Sequence, residues 1–377
     1  MRTRTRIIAV ILLAATACTL WTYLLQPKSK ALYRVVILPS LGGGWTWPDA
    51  INDRGQVVGS STTADGARHL FLWDREGGMR DLGPVDGPAG INNEGQIAGT
   101  MRDPNGERRA FLCAPGGARR LLGTLGGTTS IAMALNNRGQ VVGESWTAGE
   151  LNHAFLWDEA QGMRDLSPPG TERSDAYAIN DRGQVMIFSP GLRVSVWEPK
   201  EGAHARESKA AGAAFGDINN EGHAIFAVRL PSGNSRLMTS APRSDWKPLR
   251  EFEGSITDMK LNDANQVLFS AARPSRFPFL NRLFAPRWTR SYLLDPNRGA
   301  VLLDRLVARR SGESLIARDL NNAGDIVCAL ISGDNDRRYG VLLEPIPPRW
   351  RKRTPRQGTR VGEGHGMRRE RYGFLSL

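Results

Sequence analysis

The sequence is poor in cysteine, with three in 377 residues, no CxxC pair and no cysteine–histidine cluster. That excludes a disulfide framework and a structural zinc site. Cys18 falls in an apolar N-terminal segment, while Cys113 and Cys328 stand singly in predicted strands, where buried free thiols are expected. Of the five histidines, His69 and His153 occupy one repeated position, and His204, His223 and His365 stand alone without metal-ligand spacing. GxSxG, GxGxxG, Walker and HExxH patterns are absent, as is the alternating DxDxDG of a calcium loop. No carboxylate pair identifies itself as glycoside-cleaving. The sequence therefore assigns no catalytic residue, no metal ligand and no cofactor. Long helical periodicities are also missing, while Gly (42) and Pro (22) are plentiful, which favours an all-β chain with many turns.

A general excess of one charge is missing from the body as well. The net charge is +12, but six basic residues without an acid lie in the first 34 residues and nine against two acids lie from Pro345 onward. The intervening body is left near −1, which offers no phosphate-binding field, so nucleic acid is not an expected partner. The basic tail, residues 345–377, reads as disordered, with an acidic surface polymer or phospholipid as its possible contact.

What is present at the N-terminus is an apolar run. Residues 1–6 carry Arg2, Arg4 and Arg6, and residues 7–25 (IIAVILLAATACTLWTYLL) contain no charge. Nineteen residues make a helix of about 28 Å, close to the roughly 30 Å hydrocarbon core. The preceding arginines keep the N-terminus cytoplasmic and send the body outward. A signal anchor spanning the membrane is the expectation. A cleaved signal peptide and a lipoprotein signal with Cys18 as the lipidated residue remain open, and all three place the body outside the cytoplasm.

The body is repetitive. AINDRGQVVG at residue 50 recurs as GINNEGQIAG at 90, ALNNRGQVVG at 134 and AINDRGQVMI at 178, then more loosely as DINNEGHAIF at 217, KLNDANQVLF at 260 and DLNNAGDIVC at 319. Asn52, Asn92, Asn136, Asn180, Asn219, Asn262 and Asn321 mark the register, at spacings of 40, 44, 44, 39, 43 and 59. Asn followed by Asp or Asn, one residue and Gly is a hairpin turn, in which the side chain bonds its own backbone and glycine takes positive φ. Gly55, Gly95, Gly139, Gly183, Gly222 and Gly324 supply that glycine, whereas the sixth copy has Asn265 beyond Ala264 and reads as a shifted turn. Downstream lie a buried-strand signal (FLW at 71–73 and 155–157) and a closing strand (MRDLG at 79–83). Four strands in about 42 residues are the strand count and period of a propeller blade.

The ends of the repeat region fit together. LGG at 41–43 stands 11 residues before Asn52, as LGG at 125–127 does before Asn136, so the chain begins with the last strand of a unit. The seventh copy stops after YGVLLE (339–344), one strand short. Residues 33–344 are thus predicted to form a seven-bladed β-propeller of four-stranded blades, its last blade closed by the strand 33–41.

These motifs resemble the HAF repeat family of predicted extracellular proteins, with His153, Ala154 and Phe155 as the naming triplet; the resemblance covers residues 33 to about 344. It implies export and repeated β structure, and no shared activity. A binding or scaffold module at the cell envelope is expected, with a cell-surface protein or carbohydrate as partner. The alternative is an exported hydrolase or lyase acting on polysaccharide, for which carboxylates clustered with a His or Tyr in the central channel would speak. The basic and aromatic insertion 272–290 offers Arg276, Phe277, Phe279, Arg282, Phe284 and Trp288 as surface contacts for anionic lipid or a partner.

Overall fold

The computed structural model describes residues 32–189, 193–200, 203–208, 213–272, 289–307, 313–331 and 338–346. Residues 42–84 show the unit from which the body is built. Gly42–Ile51 runs into the turn at Asn52, Val57–Thr63 returns, and Arg68–Asp74 and Gly78–Pro84 follow, each antiparallel to the strand before it. Leu70, Phe71, Leu72 and Trp73 are consecutive and all buried, so the third strand is covered on both faces. A strand reads this way when its sheet is packed between two others.

The turn follows from its residues. Asn52 N donates to Gln56 O (3.1 Å) and Gly55 N to Asn52 O (3.0 Å), while Asn52 Oδ1 accepts from the backbone of Arg54 (3.1 Å) and Gln56 (2.9 Å). Gly55 has φ +75°, and the five equivalent glycines lie between +73° and +84°. The shifted turn expected in the sixth copy is not there. Ala264 takes the place of Arg54, and Asn265, at φ +59°, takes the place of Gly55, with Asn265 N donating to Asn262 O at 3.0 Å. Asparagine enters the left-handed region at little cost, so it substitutes for glycine without moving the register.

Among the described residues, 28 strands form five four-stranded sheets and one eight-stranded sheet. The last consists of two four-stranded halves joined by a single parallel bridge, Trp45 to Arg338. One half is the unit 42–84. The other comprises Ser314–Leu320, Ile326–Ile331, Arg338–Pro345 and the opening strand Tyr33–Ile37, which pairs antiparallel with Arg338–Pro345. The opening strand ends at Ile37 rather than at residue 41, because Leu38 turns into the core and its N–H donates to Gly340 O (2.8 Å). Leu306, beside the short 3-10 turn Leu303–Arg305, accepts from the backbone N–H groups of Leu32 and Tyr33 (3.1 and 3.3 Å). Nothing in the repeat pattern announces that anchor.

Seven apolar clusters fill the interior, and each lies between two consecutive units. The circuit returns to its start where Ile51, Val57, Phe71 and Trp73 of the first unit pack with Val327 and Leu342 of the last. The first strands of successive units touch in the same cyclic order.

The proposed helix 7–25, the surface candidates Arg276, Phe277, Phe279, Arg282, Phe284 and Trp288, and the tail from 347 lie outside the described residues. Among those described, no helix is long and apolar enough to cross a membrane. The strands Val267–Ala272 and Thr289–Asp295 flank the insertion and pair with one another, Ala272 opposite Thr289.

A Cβ on Gly55 would meet nothing within 4 Å, so Gly55→Val carries only a backbone penalty. A loss of about 1–2 kcal/mol is expected from the urea midpoint.

Candidate functional site: the charged side of the central channel

Each first strand ends at a marker asparagine, and all seven of these side chains are buried. Asn52 Nδ2 donates to Asn92 O (2.9 Å), Asn92 to Asn136 O (3.0 Å), Asn136 to Asn180 O (3.0 Å) and Asn180 to Asn219 O (2.9 Å). Asn219 donates to Asn262 O (3.1 Å), Asn262 to Asn321 O (3.2 Å) and Asn321 back to Asn52 O (3.1 Å). The residues that follow make a second circuit, in which the backbone N–H of each donates to the side-chain oxygen of the next, from Asp53 to Asn93 (2.8 Å) round to Asn322 and Asp53 (2.8 Å). Together these residues line one end of a channel, in a cavity of about 200 Å³.

Two residues before each marker asparagine, the side chain borders the channel. In the first four units it is Ala50, Gly90, Ala134 or Ala178; in the last three it is Asp217, Lys260 and Asp319. The charges therefore gather on one side. Asp217 Oδ2 accepts the Leu261 N–H of the next unit (2.8 Å), and Asp319 Oδ2 accepts the Ile51 N–H across the closure (2.9 Å). Among the described residues, the Lys260 ammonium has no hydrogen bond or ion pair, although Asp319, Asp217 and Asp258 all lie within electrostatic range.

At the other end the channel widens into a chamber of about 350 Å³. Its charged wall is formed by Lys260, Asp319, Asp258, Arg318 and Asp49. Arg318 donates to Asp258 (2.7 Å), lies 3.6 Å from Asp49 and covers the ring of Trp47 at 5.7 Å. Asp49 Oδ2 in turn accepts the Ala89 N–H of the second unit (3.3 Å). Beta-bulges at Asp49, Met133, Tyr177 and Arg318 leave one residue unpaired in the first strand, and those four residues line the chamber.

Burial pushes Asp217 up to about 6 against the pull of Lys260 and of two backbone N–H groups. Asp49 also rises to about 6 through burial, partly offset by Arg318 and the Ala89 N–H, and Asp319 is raised for the same reason despite Lys260. Burial draws Lys260 down, but the three carboxylates outweigh it and hold its amine above the usual lysine range. Tyr177 is raised by burial and by Asp175 and Glu144. Lys260 and Tyr177 thus stay protonated at neutral pH, which suits hydrogen-bond donation rather than nucleophilic or basic chemistry.

A second cluster lies between the third and fourth units. Asn152 Nδ2 donates to Glu144 Oε2 (2.6 Å) and Asp175 Oδ1 (3.1 Å), and Arg173 stands 3.3 Å from Asp175 and 3.8 Å from Glu144. Burial and a hydrogen bond with Asp175 raise Glu144. Carboxyls in direct contact are closer than either arrangement used for glycoside cleavage, about 5 Å or more. His69 and His153 bond Asp81 (2.8 Å) and Asp165 (2.7 Å) of the adjoining strand. No group of three His, Cys, Asp or Glu placed to hold a metal occurs among the described residues.

Of the turn residues named from sequence, Asn52, Asn92, Asn136, Asn180, Asn219 and Asn321 come together at the narrow end of the channel, while Gly55, Gly95, Gly139, Gly183, Gly222 and Gly324 take positive φ in the turns without lining it. The chamber residues were missed. Their signal was the first letter of each repeat, which runs A, G, A, A, D, K, D at positions 50, 90, 134, 178, 217, 260 and 319.

No family model and no curated protein matches the sequence. Among solved structures, a chain from the mitotic checkpoint complex superposes with a TM-score of 0.52 at 10% identity, covering 85% of this chain and 96% of that one. TolB from Acinetobacter baumannii superposes with a TM-score of 0.44 at 10% identity over 77% of this chain, which spans 64% of that TolB chain. The first likeness is to a WD40-type propeller and bears on fold alone: this is an all-β protein with a propeller-like fold.

Asn136→Ala strips two donors and two acceptors of a buried partner, so a loss of about 2–4 kcal/mol is expected in urea unfolding. A carboxyl at about 6 in the folded chain and 3.8 in the unfolded one binds more protons when folded. Its contribution is full below about pH 4 and fades as pH rises through 6. Asp217→Asn should therefore gain on the native protein by on the order of 1 kcal/mol between pH 4.5 and 7, measured as the change in their stability difference.

Proposed function

We propose that the chain is a seven-bladed propeller of the HAF repeat kind, anchored by residues 7–25 with its body outside the cytoplasm, and that it is a binding module whose ligand enters the wide mouth of the central channel. One observation carries the reading. Four units close the channel with Ala or Gly, so the circuit does not require charge at that position, yet three consecutive units place Asp217, Lys260 and Asp319 there. Burying a lysine and two carboxylates together costs solvation that Ala or Gly would not, and such groupings concentrate at functional sites. Asp217 and Asp319 also brace the next unit through Leu261 and Ile51, which leaves Lys260 as the member with spare donors.

A cell-surface protein or carbohydrate is the proposed partner class. The protein option draws support from the superposing chain, which comes from the mitotic checkpoint complex. A polysaccharide hydrolase or lyase is the second reading, supported by Asp49, Asp258 and Asp319 lining the same chamber as Tyr177.

Lys260→Met separates these readings. Titration of the full chain with cell-surface glycans and peptides, followed by calorimetry, should show a ligand whose affinity drops at least tenfold in the variant. Release of soluble fragments from a polysaccharide, lost in Asp258→Asn and kept in Lys260→Met, would favour the hydrolase. Export is checked by adding protease to intact cells, which should degrade the body of an outward-facing protein.

A further inference from the structure

The chamber at the wide mouth has two unlike walls. One is charged, with Lys260, Arg318, Asp49, Asp258 and Asp319. The facing one is apolar, with Ala89, Met133 and Ala134 next to the aromatic side chains of Tyr177 and Phe215. Tyr177 is held by an edge-to-face contact with Phe188, ring centroids 5.0 Å apart, so its ring is part of a fixed surface.

The charged wall suits neither a lone anion nor a lone cation. Arg318 is occupied by Asp258 at 2.7 Å and Asp49 at 3.6 Å, and the carboxylates around Lys260 create the negative field that raises its amine. A ligand anion brought to Lys260 would meet that field. A ligand cation would meet Arg318 and Lys260 themselves. What the wall offers is charge-assisted donors beside charge-assisted acceptors: the Lys260 ammonium, the Arg318 Nε, which is buried without a partner, and the second lone pairs of the Asp258 and Asp319 carboxylates, whose oxygens already accept from Met259, Arg318 and Ile51. Uncharged hydroxyls, each able to donate and accept, satisfy such a wall without adding net charge.

We infer that the chamber binds one pyranose ring of a neutral saccharide, its hydroxyl edge on Lys260, Asp319, Asp258 and Arg318 and its C–H face on the Tyr177, Phe215 and Met133 wall. A sugar ring is the common solute with one apolar face and a rim of alternating donor–acceptor hydroxyls. The chamber's 350 Å³ is at the small end of ligand pockets, which matches a single ring rather than an extended chain. This inference rests on the channel-mouth reading above and names its ligand class.

Saturation-transfer NMR on the full chain tests it, with neutral hexoses, a hexuronate, free amino acids and dipeptides as probes. Transfer to the ring C–H protons of at least one neutral hexose is expected, with affinity falling at least tenfold in Lys260→Met and in Met133→Trp, which fills the chamber from the opposite wall. Both variants are first shown by their circular dichroism and cooperative melting to be folded. Met133 is a bulge residue outside the strand ladder, so its variant keeps a folded comparison should Lys260→Met fail. If only the hexuronate, amino acids or dipeptides bind, and Lys260→Met abolishes that binding, the saccharide inference is overturned while the channel-mouth reading stands. If a hexose binds equally to both variants, or no probe binds at all, the saccharide inference is overturned, and binding insensitive to Lys260 counts against the channel mouth as well.

Discussion

Seven buried asparagine amides, each giving one N–H to the carbonyl of the next, set the geometry on which everything else in this molecule depends. A buried amide left unpaired would cost about 1–3 kcal/mol, and each of these does more than avoid that penalty. Asn136 caps its own turn through Oδ1, holds Gln140 through Nδ2 and joins its neighbour at Asn180. Turn and union between units are therefore one interaction. A unit whose turn is wrongly formed cannot be joined correctly, which is a physical reason for the repeat to be strictest at the turn.

With that end fixed by side chain to backbone bonds, the strand leading to it is free to vary. Residues directly before the asparagine, such as Ile51 and Ile218, pack between sheets. Those one step earlier border the channel and tolerate anything from Gly90 to Lys260. The charged side arises where the last three units use that freedom, and burial then sets its chemistry. Carboxyls at Asp49 and Asp217 are pushed up to about 6 while Lys260 keeps its proton, so the channel carries donors and acceptors in close alternation rather than a reactive base.

The seam between last and first units is reinforced in several ways. The opening strand lies along Arg338–Pro345, Arg34 and Arg75 both pair with Glu344, and Arg338 stacks over Trp47 at 5.8 Å. Asp319 reaches over to the Ile51 N–H, and the marker circuit passes from Asn321 to Asn52. Elsewhere, chain continuity holds neighbouring units together. Here only noncovalent bonds can, and Trp45 and Trp47, whose places in the third unit are taken by Thr129 and Ile131, are placed there.

The sequence alone determined what is local and periodic: the turn at each asparagine, the positive φ of its glycine, the four-strand unit and the burial of the FLW strand. These depend on residues within five positions of one another or on alternation along one strand, so they are written in linear order. It misplaced the sixth turn, where no glycine stands and Asn265, with its short polar side chain, takes the same left-handed backbone. Only the tertiary structure decided which side chains meet. Asp49, Asp258, Lys260, Arg318 and Asp319 come from three units and are scattered over 271 positions of the chain, and no spacing rule joins them. Their proximity exists because the asparagine circuit brings seven first strands around one channel, and their proton affinities exist because that channel withdraws them from water.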